Sequence, residues 1–228
     1  MPDLLEAIEI ETGPQPRAAV ILMHGLGADG HDFKPVVPHL GLPETVPVRF
    51  VFPHAPYRPV TINRGFVMRA WYDVYDVPDA GGGRQEDAEG VRGSQAQIEA
   101  LIERERARGI PAGRLFLAGF SQGGAMALHT GLRHSERLAG IIALSCHLPL
   151  AGTLAAEASP ANRGVPIFIA HGTDDEVIPL TRARHSRDRL LELGYGVTWR
   201  EYPMPHAVSA EEIRDLAAWL REVLGPRA

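Results

Sequence analysis

The sequence predicts an α/β protein: a mostly parallel central sheet with helices on both faces. Three observations lead there. Short apolar, β-rich runs alternate with longer helix-period segments along the 228 residues. Several of those runs are apolar nearly throughout, as strands buried on both faces are. No internal repeat, low-complexity tract or Pro/Ser-rich linker divides the chain, so one domain over residues 1–228 is expected. With 45% hydrophobic and 22% charged residues, that length suffices for one sizeable core.

The candidate strands are Ala18 to Met23, Arg49 to Phe52, Leu115 to Ala118, Gly140 to Ser145, Ile167 to Ala170 and Val197 to Tyr202. Among the helices, the clearest opens at Ser209, whose hydroxyl and Glu212 form a capping box. It carries Ile213, Leu216, Ala217, Leu220, Val223 and Leu224 on one stripe and stops at Gly225-Pro226. Arg92 to Arg108 turns Ile98, Leu101 and Ile102 inward, and its charged outer face reads as solvated. Two more helices span Thr181 to Leu193, closed by Gly194, and the residues after Ser121 through Leu132. Two stretches lack this periodicity. His54 to Glu89 holds Trp71, Tyr72, Tyr75 and Gly81-Gly82-Gly83, and Leu148 to Gly164 separates two strands; irregular segments of that length are where binding loops occur.

Charge and cysteine content remove several function classes. A net charge of -5 supplies no clustered cationic surface for phosphate neutralisation, which argues against nucleic acid as partner. The single cysteine, Cys146, can form neither an intrachain disulfide nor a cysteine-based metal site and reads as a small core residue. The start, Met1-Pro2-Asp3-Leu4, has no basic or apolar signal region, and no apolar run approaches the ~18 residues of a membrane span. A cytoplasmic protein without membrane insertion is expected.

The chemistry gathers at three places. Gly119-Phe120-Ser121-Gln122-Gly123 is a G-x-S-x-G sequence between a buried strand and a helix, the setting of a nucleophile elbow, where glycines let strand and helix pack close to a strained serine. Serine needs an imidazole to take its proton and a carboxylate to orient that imidazole. At the end of one strand stands His171-Gly172-Thr173-Asp174-Asp175, and after the last strand Pro203-Met204-Pro205-His206, both on loops at the edge where such sheets place their sites. The order Ser, Asp, His follows. Spacing alone leaves Asp174 and Asp175 both open. His31, His39, His129, His134 and His185 read as solvated or capping residues, and His171 as a structural hydrogen-bonder. For a developing oxyanion the amide of Gln122 is one donor. The second is the amide of Leu26 in the glycine-rich turn His24-Gly25-Leu26-Gly27, which closes the first long strand.

Taken together, these segments resemble the carboxylesterase, phospholipase and acyl-protein thioesterase family of small α/β-hydrolases. The likeness covers nearly the whole chain. It rests on Leu22-Met23-His24-Gly25-Leu26-Gly27, Phe52-Pro53-His54-Ala55-Pro56, Trp71-Tyr72-Asp73, Gly119 to Gly124, His171-Gly172 with Asp175 and Pro179, and Tyr202-Pro203-Met204 with His206. The resemblance implies an α/β-hydrolase fold, Ser121 as nucleophile, His206 as base, Asp175 rather than Asp174 as its carboxylate, and subunits that often pair. It also implies that Trp71 and the stretch Val60-Thr61-Ile62-Asn63 wall an acyl pocket. Ile62, Trp71, His147 and Val177 are the candidate substrate-binding residues. Two departures bear on the site: Pro205 stands where the family usually has glycine, and His147 where it tends to carry an aromatic or aliphatic residue.

Only 51 residues separate Gly123 from Asp175, used up by a helix, two strands and a loop, so no cap domain fits and an open pocket is expected. The expected activity is hydrolysis of short- to medium-chain carboxylic esters, small-molecule substrates, through an acyl-enzyme without metal or organic cofactor. The alternatives are an acyl-protein thioesterase, a lysophospholipase and, more remotely, a non-catalytic binding module on this fold.

Overall fold

The computed structural model describes residues 4–43, 45–78 and 84–225. The Gly81-Gly82-Gly83 segment, Met1-Pro2-Asp3 and Pro226 lie outside the described residues. Seven strands form the central sheet: β1 (Ala7–Glu11), β2 (Ala18–Met23), β3 (Val48–Pro53), β4 (Leu115–Phe120), β5 (Gly140–Leu144), β6 (Ile167–Gly172) and β7 (Val197–Tyr202). Their spatial order is β1-β3-β2-β4-β5-β6-β7. Every neighbouring pair is parallel except β1 with β3, which is antiparallel.

The layering follows from side-chain alternation along β-strands. Val20, Phe116, Ile142 and Phe168 point to one face, where they meet Val37, Leu40, Ile213, Leu216 and Leu220. Their chain neighbours Ile21, Leu117, Ile141 and Ile169 point to the other, against Ile98, Leu101, Ile102, Met126 and Leu190. Helices α1 (Ala88–Ala107), α2 (Gln122–Arg133) and α3 (Leu180–Glu192) cover the second face, and α4 (Ala210–Leu224) the first. Both faces are needed because a strand apolar on each side must bury each side, at about 1.5–3 kcal/mol per fully buried aliphatic side chain.

Several elements extend beyond their sequence signals. Strands β4 and β6 run two residues further than their apolar cores, because Gly119 and Phe120 still pair with Met23, Ala143 and Leu144, and His171 and Gly172 with Glu201 and Tyr202. Helix α1 begins four residues early, at Ala88, because the Asp87 carboxylate caps it by accepting from the Gly90 amide at 2.9 Å. Helix α4 starts as expected, with the reciprocal Ser209–Glu212 capping box present.

The stretch from His54 to Glu89 is partly regular. It contains the hairpin Tyr57–Val60/Phe66–Arg69 and a second antiparallel pair, Val74–Pro78 with Arg84–Glu86. A short helix, Leu154–Glu157, breaks the other long connection.

Two charge readings are corrected. The outer face of α1 is not simply solvated: Glu105 is fully buried and bridges Arg49 at 2.8 Å, with Arg104 and Arg108 each at 3.0 Å. An apolar stripe gives no sign that an acid further along the helix faces a cation on a neighbouring strand. His129 and His134 are likewise buried, held by Gln95 and Glu99 of α1, whereas His31, His39 and His185 are exposed.

Candidate active site

Ser121 lies between the end of β4 and the start of α2, with φ 55° and ψ -122°. A non-glycine residue at positive φ is uncommon and costs of order 1–3 kcal/mol unless its surroundings impose it. Here they do. The Ser121 amide donates to the Leu144 carbonyl at 2.8 Å, and its own carbonyl accepts from Ala125. The flanking glycines are required by contact: a Cβ on Gly119 would lie 2.2 Å from the Gly123 backbone, and one on Gly123 would lie 2.1 Å from the Met23 carbonyl oxygen. Strand β4, helix α2 and the end of β2 meet too closely for any side chain at either position.

His206 reaches this serine from the loop after β7. Its Nε2 is 2.9 Å from Ser121 Oγ and its Nδ1 is 2.7 Å from Asp175 Oδ2. The carboxylate accepts only, so Nδ1 carries the hydrogen and Nε2 presents its lone pair to the hydroxyl. Oδ1 of Asp175 accepts two amides, Val177 at 2.9 Å and Ile178 at 2.8 Å, which fix the carboxylate's orientation. The spacing ambiguity is thereby resolved: Asp175 is buried and bonded to the imidazole, while Asp174 is exposed. Phe120 packs against the imidazole, ring centroids 4.7 Å apart.

Gly172 has a reason of its own. A Cβ there would meet the Met204 carbonyl oxygen at 2.2 Å, because the loops bearing Asp175 and His206 are laced together. The Thr173 amide donates to Tyr202 and the Asp174 amide to Met204. His171 is fully buried and its Nε2 donates to the Ile178 carbonyl at 2.8 Å, bracing the same loop. Burial holds its basicity below that of a free imidazole. Pro205 does not displace His206 from either partner.

Ser121 and His206 open into a cleft of about 420 Å³ lined by Leu26, Ile62, Tyr72, Val74, Val91, Phe120 and Ile178, among others, while the Asp175 side chain is fully buried. Gln122 and Leu26 border it beside Ser121 and His206. The Gln122 amide is the first of α2, where no carbonyl of a preceding turn is available and the helix dipole favours negative charge. Ile62 and Val177 line the rim and are exposed. His147 lines it too, with Nε2 3.7 Å from Glu86 Oε1. Cys146, its neighbour, is buried, and burial pushes its thiol well above the usual range, so it offers no nucleophile.

Trp71 is a correction. It is fully buried and is not among the cleft-lining residues; nor are Val60 and Thr61, whereas Asn63 is. Its indole Nε1 donates to the His24 carbonyl at 2.9 Å, behind the turn that carries Leu26. In that segment Tyr72, next in the chain, and Tyr75 line the cleft instead. A large aromatic in the short link between two strands does not reveal from sequence which side of that link it backs. His24 has a role that no sequence motif assigns: its Nδ1 donates to the Gly25 carbonyl and its Nε2 accepts from the Ala55 amide at 3.0 Å. Burial lowers its pKa to about 4, so the ring stays neutral in that tautomer near neutral pH.

The chain is similar to known proteins over nearly its whole length. The phospholipase/carboxylesterase family model matches residues 5–224. Acyl-protein thioesterase 1 of Gibberella zeae is 39% identical over 222 residues, 93% of each chain. Its counterpart in Neurospora crassa is 41% identical over 214 residues, covering 91% of this chain and 87% of the relative. The crystal structure of Zea mays acyl-protein thioesterase 2 superposes with a TM-score of 0.80 at 28% identity, over 96% of this chain and 99% of that one.

Proposed function

The chain belongs to the phospholipase/carboxylesterase family of α/β-hydrolases, and from that premise we propose that it is a serine hydrolase of acyl thioesters, with S-acylated cysteines of proteins as its substrate class. The observation that carries the reaction type is the continuous hydrogen-bonded chain Ser121–His206–Asp175, open to an apolar-lined cleft. The names of the relatives, at 39% and 41% identity over nearly full length, favour the thioester over the ester first expected.

The steps follow from the geometry. His206 Nε2 takes the proton of Ser121 Oγ as that oxygen bonds to the thioester carbonyl carbon. The carbonyl oxygen becomes an anion facing the amides of Leu26 and Gln122, the proposed oxyanion donors. Asp175 stabilises the imidazolium through Nδ1. As the C–S bond breaks, the proton on Nε2 passes to the departing thiolate, leaving acyl-Ser121. Water then repeats the cycle: His206 deprotonates it, the oxygen attacks the ester carbonyl, and the proton returns to Ser121 as the carboxylic acid leaves.

A second reading, hydrolysis of short- to medium-chain carboxylic esters, draws support from the cleft lining. Glu86, Asp87, His147 and Arg182 share it with the apolar residues, and a long alkyl chain gains little beside charged groups. The test is kcat/KM on matched oxygen and sulfur esters across acyl lengths, alongside release of palmitate from an S-palmitoylated peptide. A preference for the sulfur series and for the peptide is expected. Oxygen esters of short acids turned over best, with the peptide untouched, would replace the thioesterase reading with the carboxylesterase one.

A further inference from the structure

The residue expected in the pocket wall has a different job, and its contacts point to it. Residues 69–72 touch both places from which the oxyanion donors come. On one side, the Gly27 amide donates to the Arg69 carbonyl at 2.9 Å and the Trp71 indole donates to the His24 carbonyl at 2.9 Å. Those bonds hold the turn His24-Gly25-Leu26-Gly27 at both ends, with the Leu26 amide between them. On the other side, the Gln122 carboxamide is clamped twice. Its Oε1 accepts the Trp71 amide at 2.9 Å and its Nε2 donates to the Tyr72 carbonyl at 2.7 Å.

The segment is itself anchored. Trp71 is fully buried, and its carbonyl accepts the Ser94 hydroxyl from α1. The His24 carbonyl is wedged as well, since a Cβ on Gly123 would come within 2.7 Å of it. A carbonyl fixed between the first turn of α2 and an indole N–H cannot rotate, and the peptide planes that follow it inherit that constraint.

We propose that Trp71 is a positioning residue, the centre of a splint that sets the Leu26 and Gln122 amides at the spacing the tetrahedral oxyanion requires. Trp71 touches no substrate. It acts by holding the turn, so its contribution is made in the transition state, where donors misplaced by a fraction of an ångström lose most of their effect. The inference rests on the acyl-hydrolase reading above.

The test is Trp71→Phe, which removes the indole N–H and keeps an aromatic ring in the core. With a chromogenic thioester or ester, kcat falls about tenfold, short of the ~10²–10³ lost with a whole donor, while KM stays within about twofold. The inhibition constant of an acyl trifluoromethyl ketone, whose adduct with Ser121 carries the oxyanion, rises by the factor by which kcat/KM falls. A defect confined to packing would lower the melting temperature without that matched loss. Unchanged kcat, or a loss seen only in KM, overturns the splint. Should Trp71→Phe fail to fold, Gln122→Met cuts the clamp at its other end while leaving the main-chain amide in place. The same split is expected of it, and wild-type kcat there overturns the inference equally. A wild-type protein inert to every acyl substrate and to the ketone fails the parent reading, and the splint with it. An active wild type beside an unaffected variant fails the splint alone.

Discussion

Replacing Glu212 with glutamine should remove most of one pH-dependent component of stability. Glu212 is fully buried in the first turn of α4. Its Oε2 lies 3.4 Å from the Ser209 amide, and Oε1 has no hydrogen-bond partner among the described residues. Burial outweighs that long hydrogen bond and lifts the carboxyl from the ordinary 4.5 to about 8. A carboxyl with a raised folded-state pKa holds its proton more tightly in the folded protein. Its contribution to stability is therefore complete below pH 4.5 and is lost as pH climbs through about 8. Each tenfold change in proton affinity is about 1.4 kcal/mol, so the span corresponds to roughly 5 kcal/mol, an upper figure once water penetration relaxes the site. Glutamine keeps the shape and can serve at the third position of a capping box. Urea unfolding at pH 5, 7 and 9 should show the two proteins within about 1 kcal/mol at pH 5 and the variant ahead by about 2–4 kcal/mol at pH 9. Taking the difference at each pH cancels the other titrating groups. Parallel curves would refute the reasoning, because a carboxyl that ionises normally cannot separate them.

Three further outcomes are expected. Gly123→Ala pushes a methyl into the Met23 carbonyl, which is backbone and cannot swing aside; differential scanning calorimetry should register a loss of at least about 2 kcal/mol, and esterase activity should collapse. Asp175→Asn leaves an amide facing His206 Nδ1 and turns the wrong tautomer to Ser121, so kcat falls about 10³–10⁴-fold, whereas exposed Asp174→Asn stays within about twofold in the same steady-state assay. His147→Phe removes the imidazole beside Glu86 from the cleft and should move the kcat/KM optimum to longer acyl chains, as read from a series of p-nitrophenyl esters.

Much of this architecture was legible in the chain itself. Strand β2 matches its apolar run and β7 its β-rich run end to end, and α4 matches its capping box, because in each the residue pattern and its boundary signals coincide. Strand β1 carries a weak signal: Ala-Ile-Glu-Ile-Glu is a short edge strand, and its two isoleucines pack only partly against the core. The start of α1 was obscured by Gly90 and Gly93 in its opening turns, with Asp87 acting as cap from within an apparently irregular stretch. At the site, residue types and chain order single out Ser121 and His206, but choosing between two adjacent aspartates needs the turn geometry that buries one and exposes the other. The function of Trp71 depends on which carbonyl its N–H meets 47 residues away, and no local pattern encodes such a contact.

Whether Ser121 is a nucleophile driven by His206 decides the proposed reaction. Incubation with a fluorophosphonate probe, followed by peptide mass spectrometry, measures this. One equivalent of phosphonate on Ser121 in the wild-type protein is predicted, with none in Ser121→Ala and slowing by about three orders of magnitude in His206→Ala. A folded wild-type protein left unlabelled, or labelled as fast without the imidazole, contradicts it.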